Sequence, residues 1–126
     1  MIITLIIGLP GSGKTTYATK NFPGTIIIDD PKSLSELPET DVDFVIVDPW
    51  LCIPDIREKS IQYLKNRYKC NINELYFSND NTTCRYNIIF RHLRGDTRKI
   101  DVSFNILEKQ YEIPPEVTNT IPVWST

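Results

Sequence analysis

Apolar and polar positions along this chain follow two periods, and the switches between them divide it into strands and helices. Ile2, Ile3, Leu5, Ile6 and Ile7 form a near-continuous apolar run with the length of one buried strand. Lys14–Asn21 reads as a helix stopped by Pro23-Gly24. Thr25–Ile28 reads as a short buried strand closing on Asp29-Asp30, and Lys32–Leu37 as one helical turn. Phe44–Val47 is a third strand ending at Asp48. Ile53 to Tyr68 is helical, with Ile56, Leu64 and Tyr68 on or near one face, and Leu75–Phe77 centres a fourth strand. A helix starting near Thr82 carries Tyr86, Ile89, Phe90 and Leu93 at i, i+3, i+4 and i+7, a spacing that predicts an apolar face docked on the sheet. Gly95 suits its C-cap, and Asp96 suits the N-cap of a further helix. There Ile100, Phe104, Leu107 and Tyr111 keep the period until Ile113-Pro114-Pro115. Ile121–Trp124 reads as a last strand. This alternation predicts an α/β fold, a parallel sheet with helices on both faces. Right-handed crossovers then gather the C-terminal ends of the strands at one edge, where ligands bind.

Between the first strand and the first helix stands Gly8-Leu9-Pro10-Gly11-Ser12-Gly13-Lys14-Thr15, a match to G-x-x-x-x-G-K-[ST], the phosphate-binding P-loop. The glycines at 8, 11 and 13 let the backbone take unusual angles and bring N–H groups close to phosphate oxygens. The helix N-terminus adds partial positive charge. Lys14 can reach β- and γ-phosphates, and the Thr15 hydroxyl can ligate Mg²⁺. Gly8, Pro10, Gly11, Ser12, Gly13, Lys14, Thr15 and Thr16 are therefore the expected nucleotide-binding residues.

Composition narrows the class. At 126 residues the chain makes one domain, 1–126. With 40% hydrophobic and 24% charged residues it is ordinary for a soluble protein, and a net charge of −2 gives no global field toward nucleic acid or membranes. Cys52, Cys70 and Cys84 form no C-x-x-C pair, so they read as reduced thiols of a cytoplasmic protein rather than a zinc site or disulfide framework. The apolar N-terminus is too short for a signal peptide and runs straight into the loop, and no stretch approaches transmembrane length.

Acidic and basic side chains supply the remaining chemistry. Asp48, closing an apolar strand beside the P-loop strand, is positioned to help hold Mg²⁺; the structural alternative is a turn cap before Pro49. Asp29 and Asp30 end the second strand on the same edge, and Asp29 is the first choice for a carboxylate that accepts the proton of an attacking hydroxyl. Arg85, Arg91, Arg94, Arg98 and Lys99 crowd a helix–loop–helix corner around Gly95, a candidate lid over about 85–99. Arg91 and Arg98 are the expected catalytic arginines, against the alternative of a solvated basic face. The single histidine, His92, reads as structural. Trp50 reads first as packing at a strand–helix junction and second as a base-stacking ring.

Together these features resemble P-loop kinases of the polynucleotide-kinase and zeta-toxin-like group. They are the octapeptide at 8–15, Asp29-Asp30 after strand two, Asp48 after strand three and an arginine-bearing lid after strand four. Tyr76-Phe77-Ser78-Asn79-Asp80, then Cys84, Asn87, Arg91, Asp96, Arg98 and Tyr111-Glu112-Ile113-Pro114, look like small phage-type and bacterial ATP-binding members. The resemblance implies a P-loop NTPase three-layer sandwich, with a five-stranded parallel sheet in the order 2-3-1-4-5. It also implies Mg²⁺-dependent phosphoryl transfer from ATP or another NTP to a hydroxyl acceptor, a small molecule or a nucleic-acid end. In it Lys14 and Thr15 serve phosphate and Mg²⁺, Asp29 is the base, Asp48 belongs to the metal shell, and Arg91 or Arg98 to the lid. The chain departs from the group between Asp30 and Asp43, which leaves no room for acceptor-binding helices. The competing expectation is therefore a nucleotide-binding or NTPase module read by a protein partner or a second copy. A non-catalytic interaction protein would require an idle P-loop.

Overall fold

The computed structural model of the chain describes residues 1–95 and 101–124. Four strands, β1 (Ile2–Ile7), β2 (Ile26–Asp29), β3 (Phe44–Val47) and β4 (Asn71–Tyr76), form one sheet in the order β2-β3-β1-β4, with every pairing parallel. β1 and β3 are buried on both faces, as the apolar runs dictate. β2 is an edge strand and only half-buried, short of the full burial its three isoleucines predict. β4 begins at Asn71, earlier than its apolar centre implies. It pairs with the whole of β1, from Ile2↔Asn71 to Ile7↔Tyr76, while Asn71 and Asn73 remain exposed.

Among the described residues, four α-helices cover the sheet: α1 (Lys14–Asn21), α2 (Pro54–Arg67), α3 (Asn81–Leu93) and α4 (Asp101–Gln110). One face carries the larger core, where Ile3, Leu5, Ile7, Phe44 and Ile46 meet Ile61 and Leu64 of α2, Cys84 and Ile88 of α3, and Phe104 and Leu107 of α4. The other carries a smaller core of Ile6, Val45, Val47 and Phe77 against Ala18 of α1. Single 3-10 turns at Leu34–Glu36 and Pro49–Cys52 complete the connections. No helix among the described residues is long and apolar enough to cross a membrane.

Two expectations are corrected. The fifth strand reduces to a single parallel bridge, Phe77↔Ile121, which continues the sheet beyond β4. Ile121 N donates to Tyr76 O and Ser78 N donates to Ile121 O. Pro122 then lacks the N–H that a ladder needs. The apolar stripe of α3 does not dock on the sheet: Tyr86, Ile89 and Leu93 are 56%, 54% and 81% exposed. The helix buries Cys84, Asn87 and Ile88 instead, because that row lies against the loop at Gly11, where a Cβ would come within 2.5 Å of the Cys84 carbonyl. There the helix backbone itself meets the loop through the Cys84 carbonyl, with the Ile88 side chain beside it, and Gly11 leaves the room for both. In α4 the expected Phe104 and Leu107, followed by Tyr111, are buried; Ile100 lies outside the described residues.

Candidate functional site

The loop between β1 and α1 sits at the C-terminal edge of the sheet. Gly11 and Gly13 adopt φ of +84° and +97°, angles that other residues reach only under strain. The loop's carbonyls are satisfied within the protein. Lys14 Nζ donates to Gly8 O at 2.7 Å and Leu9 O at 2.8 Å. Asn87 Nδ2 donates to Gly11 O at 2.9 Å, Trp124 N donates to Ser12 O at 3.0 Å, and Tyr17 N donates to Gly13 O at 2.9 Å. The N–H groups of Lys14, Thr15 and Thr16 precede the first helical bond, and the N-cap, Gly13, has no side chain to cover them. A concave, donor-rich surface results, of the kind that accepts an anion.

This surface opens into a cavity of about 580 Å³. Pro10, Gly11, Gly13, Lys14, Thr15 and Thr16 form its floor; Asp29, Asp30, Val47 and Pro49 line one wall, and Asn87, Arg91, Ser103 and Trp124 the other. Nearly all the expected phosphate-binding residues therefore face one space. The exceptions are buried: Gly8, and Ser12, whose hydroxyl faces Lys14 Nζ at 3.5 Å. Lys14 itself is buried, and desolvation holds its pKa below the usual lysine value; the nearby carboxylates of Asp29 and Asp48 oppose that shift.

The carboxylates divide by environment. Asp29 Oδ2 accepts from Thr15 Oγ1 at 3.0 Å, which joins the end of β2 to the first turn of α1. Asp30 takes φ +55° and donates its N–H to Val47 O, which tucks the chain back under β3. Asp48 takes the capping position: its Oδ1 accepts from Trp50 N at 2.9 Å and starts the 3-10 turn at Pro49. Burial pushes the Asp48 carboxyl up, the Trp50 N–H and Lys14 hold it down, and Asp30 and Asp29 add to the rise. No cluster of three or more His, Cys, Asp or Glu suited to a metal occurs among the described residues. Mg²⁺ does not require one, since it keeps several waters and takes one or two protein oxygens.

The arginines separate as well. Arg91 lines the cavity and lies against Gly11, where a Cβ would come within 3.3 Å of its Nη2. Arg85 points the other way, paired with Glu108 at 2.9 Å and lying over the Phe104 ring. Arg94 lies over Phe90. Arg98 lies outside the described residues. His92 is exposed; Trp50 is 36% exposed rather than packed in the core, and it is its backbone N–H that meets the Asp48 cap.

Sequence reasoning missed two parts of the site. Asn87 fastens the loop: besides Gly11 O, its Nδ2 donates to Trp124 O at 2.6 Å. The available signal is its place on the Cys84, Asn87, Ile88, Arg91 row, whose spacing equals that of the more apolar stripe beside it. The sequence pattern places Trp124 only in a strand, whereas it lies on Gly13, where an added Cβ would meet the Trp124 Cβ at 2.9 Å. Compared with protein-family models and with curated protein sequences, the chain matches none, and the functional reading rests on the cradle itself.

Proposed function

We propose that the chain is a nucleotide-binding protein of P-loop NTPase type that transfers the terminal phosphoryl group of ATP, or another NTP, to a hydroxyl acceptor with Mg²⁺. The carrying observation is the cradle: loop carbonyls already bonded within the protein, uncapped N–H groups at the start of α1, and a buried Lys14 beside them. An anion of high charge fits this surface, and a neutral ligand leaves its donors unanswered. Thr15, with Asp29 bonded to it, supplies oxygens suited to Mg²⁺, which when bound neutralises phosphate charge. Asp48 then acts on the metal as a nearby charge, because, unlike Asp29, it does not line the cavity, and one of its oxygens is engaged as a cap. Asp29, through the oxygen that Thr15 does not use, accepts the proton of the attacking hydroxyl. Arg91, on the opposite wall, stabilises the charge that develops on the transferred group.

One observation favours a second reading. Between Asp30 and Asp43 the chain makes only the 3-10 turn at Leu34–Glu36, so the wall where an acceptor would rest is thin. On that reading the chain is an NTPase whose state a partner reads. Incubation with γ-labelled ATP, Mg²⁺ and a panel of 5′-hydroxyl oligonucleotides and nucleosides separates the two. Labelled acceptor supports the kinase and free phosphate alone supports the NTPase. Absence of ATP binding in calorimetry removes both.

A further inference from the structure

One wall of the cavity is a tryptophan that does no core packing. Trp124 is 59% exposed, yet its backbone is pinned on both sides: its N–H donates to Ser12 O, and its carbonyl accepts from Asn87 Nδ2. Both partners belong to the machinery that shapes the loop, so the root of the side chain, its Cβ, is set against Gly13. Gly13 makes this possible by lacking a side chain. A large aromatic surface left in water costs free energy that burial elsewhere would recover, and exposure beside a polar cavity is informative for that reason.

We propose that Trp124 is the stacking platform for the base of the bound nucleotide, an inference that rests on the nucleotide reading above. A nucleotide whose phosphates lie on the N–H groups of Gly13 to Thr16 carries a flat ring a short distance away, and Trp124 is the aromatic side chain among the described cavity residues. Its N–H is committed to Ser12 O and its carbonyl to Asn87, so the residue offers the base a ring face rather than an edge-reading pair. Every base has a π-face, so recognition of this kind is tolerant of base identity and scales with stacking area. The site therefore selects a nucleotide over bare polyphosphate and a purine over a pyrimidine, and it discriminates weakly between adenine and guanine.

The test uses the full chain with Trp50→Phe, which leaves Trp124 as the sole tryptophan. Calorimetry and intrinsic fluorescence are recorded with Mg²⁺ and ATP, GTP, CTP or inorganic tripolyphosphate, on this protein and on Trp124→Ala and Trp124→Leu. The expected result is fluorescence quenching by ATP and GTP but not by tripolyphosphate, with ATP and GTP affinities within about threefold. Trp124→Ala and Trp124→Leu should each weaken ATP about tenfold and leave tripolyphosphate unchanged. Leucine keeps apolar bulk without a ring, so its failure to rescue separates stacking from simple cover of Gly13. If Trp124→Ala binds ATP as tightly as its parent while Lys14→Ala does not, the cradle stands and the platform is wrong. A greater than tenfold preference for one purine overturns the claim of ring-face recognition. If neither ATP nor tripolyphosphate binds the parent, the nucleotide reading itself fails.

Discussion

Replacement of Lys14 by methionine should separate folding from binding. Lys14 is 7% exposed, and its ammonium is held by the carbonyls of Gly8 and Leu9 rather than by a bonded carboxylate. Methionine has similar length, fills the same space and removes the cost of burying a charge. It also leaves Gly8 O without that donor, a loss of about 1–3 kcal/mol. Two opposed contributions of similar size predict a small net change in stability at pH 7. Binding should change far more. A charge-assisted contact of about 1.5–3 kcal/mol corresponds to roughly a tenfold to hundredfold loss of ATP affinity. With ATP at a hundred times the wild-type Kd, wild type gains about 2.7 kcal/mol, and a variant weakened thirtyfold gains only about 0.9. The sign with pH is also fixed. The folded pKa of Lys14 lies below 10.5, so the unfolded chain holds that proton more tightly, and stability rises with pH between the two values. The variant lacks this contribution. The stability difference between wild type and Lys14→Met should therefore grow in favour of wild type as pH approaches 10.5, with a limiting slope of about 1.4 kcal/mol per pH unit. Urea melts at pH 7–10.5, with and without Mg²⁺-ATP, measure both effects. A flat difference across that range, together with unchanged stabilisation by ATP, would falsify the role given to Lys14.

Asp29→Asn should leave ATP affinity near normal and reduce turnover roughly 10²–10⁴-fold, whereas Asp48→Asn should preserve the 3-10 turn, since asparagine also caps, and weaken the Mg²⁺ dependence of turnover; single-turnover kinetics against Mg²⁺ concentration distinguishes them, and full activity of Asp29→Asn removes the base assignment. Burial pushes the Cys52 and Cys84 thiols from 9.0 up to about 12, so both stay protonated in the fold while the unfolded chain ionises. Stability should hold below pH 9 and fall above it, each thiol contributing a limiting slope of about 1.4 kcal/mol per pH unit, and alkaline melts of the double alanine variant should show a shallower decline. Leu93→Gln and Ile89→Gln should change stability by no more than about 0.5 kcal/mol and shorten retention on a hydrophobic column, whereas Ile88→Ala should cost about 2–5 kcal/mol; a strongly destabilised Leu93→Gln would return the apolar stripe of α3 to the core.

The parts of the molecule legible in its sequence are those whose cause is local. The loop at 8–15 carries its own backbone requirements, and Phe44–Val47 is apolar throughout because both its faces are covered. What was misread depends on distant partners. β4 begins in Asn71, Ile72, Asn73 and Glu74, a stretch with little strand character, and is held extended by pairing with β1. In α3 two rows compete at the same helical period. The more apolar one loses because the row of Cys84 and Asn87 fits the narrow space behind Gly11. The positions of Asn87 and Trp124 in the site follow from contacts made across 76 and 37 residues of chain, and no spacing rule reaches that far.

The two faces of the sheet are unequally defended, and this sets the order in which the molecule comes apart. α1 contributes Ala18 to the smaller core and adds only half-buried rings, Tyr17 edge-on to Phe77 at 5.7 Å and Phe22. Three helices hold the other face. Local opening of α1 therefore exposes little apolar surface and has a free energy well below that of global unfolding. In hydrogen exchange, the amides of Lys14–Asn21 should trade with solvent through this partial opening while those of β1 and β3 wait for the whole fold to open. The helix that presents the cradle is thus lightly held on its face of the sheet, and any ligand that grips its first turn closes this route to partial opening.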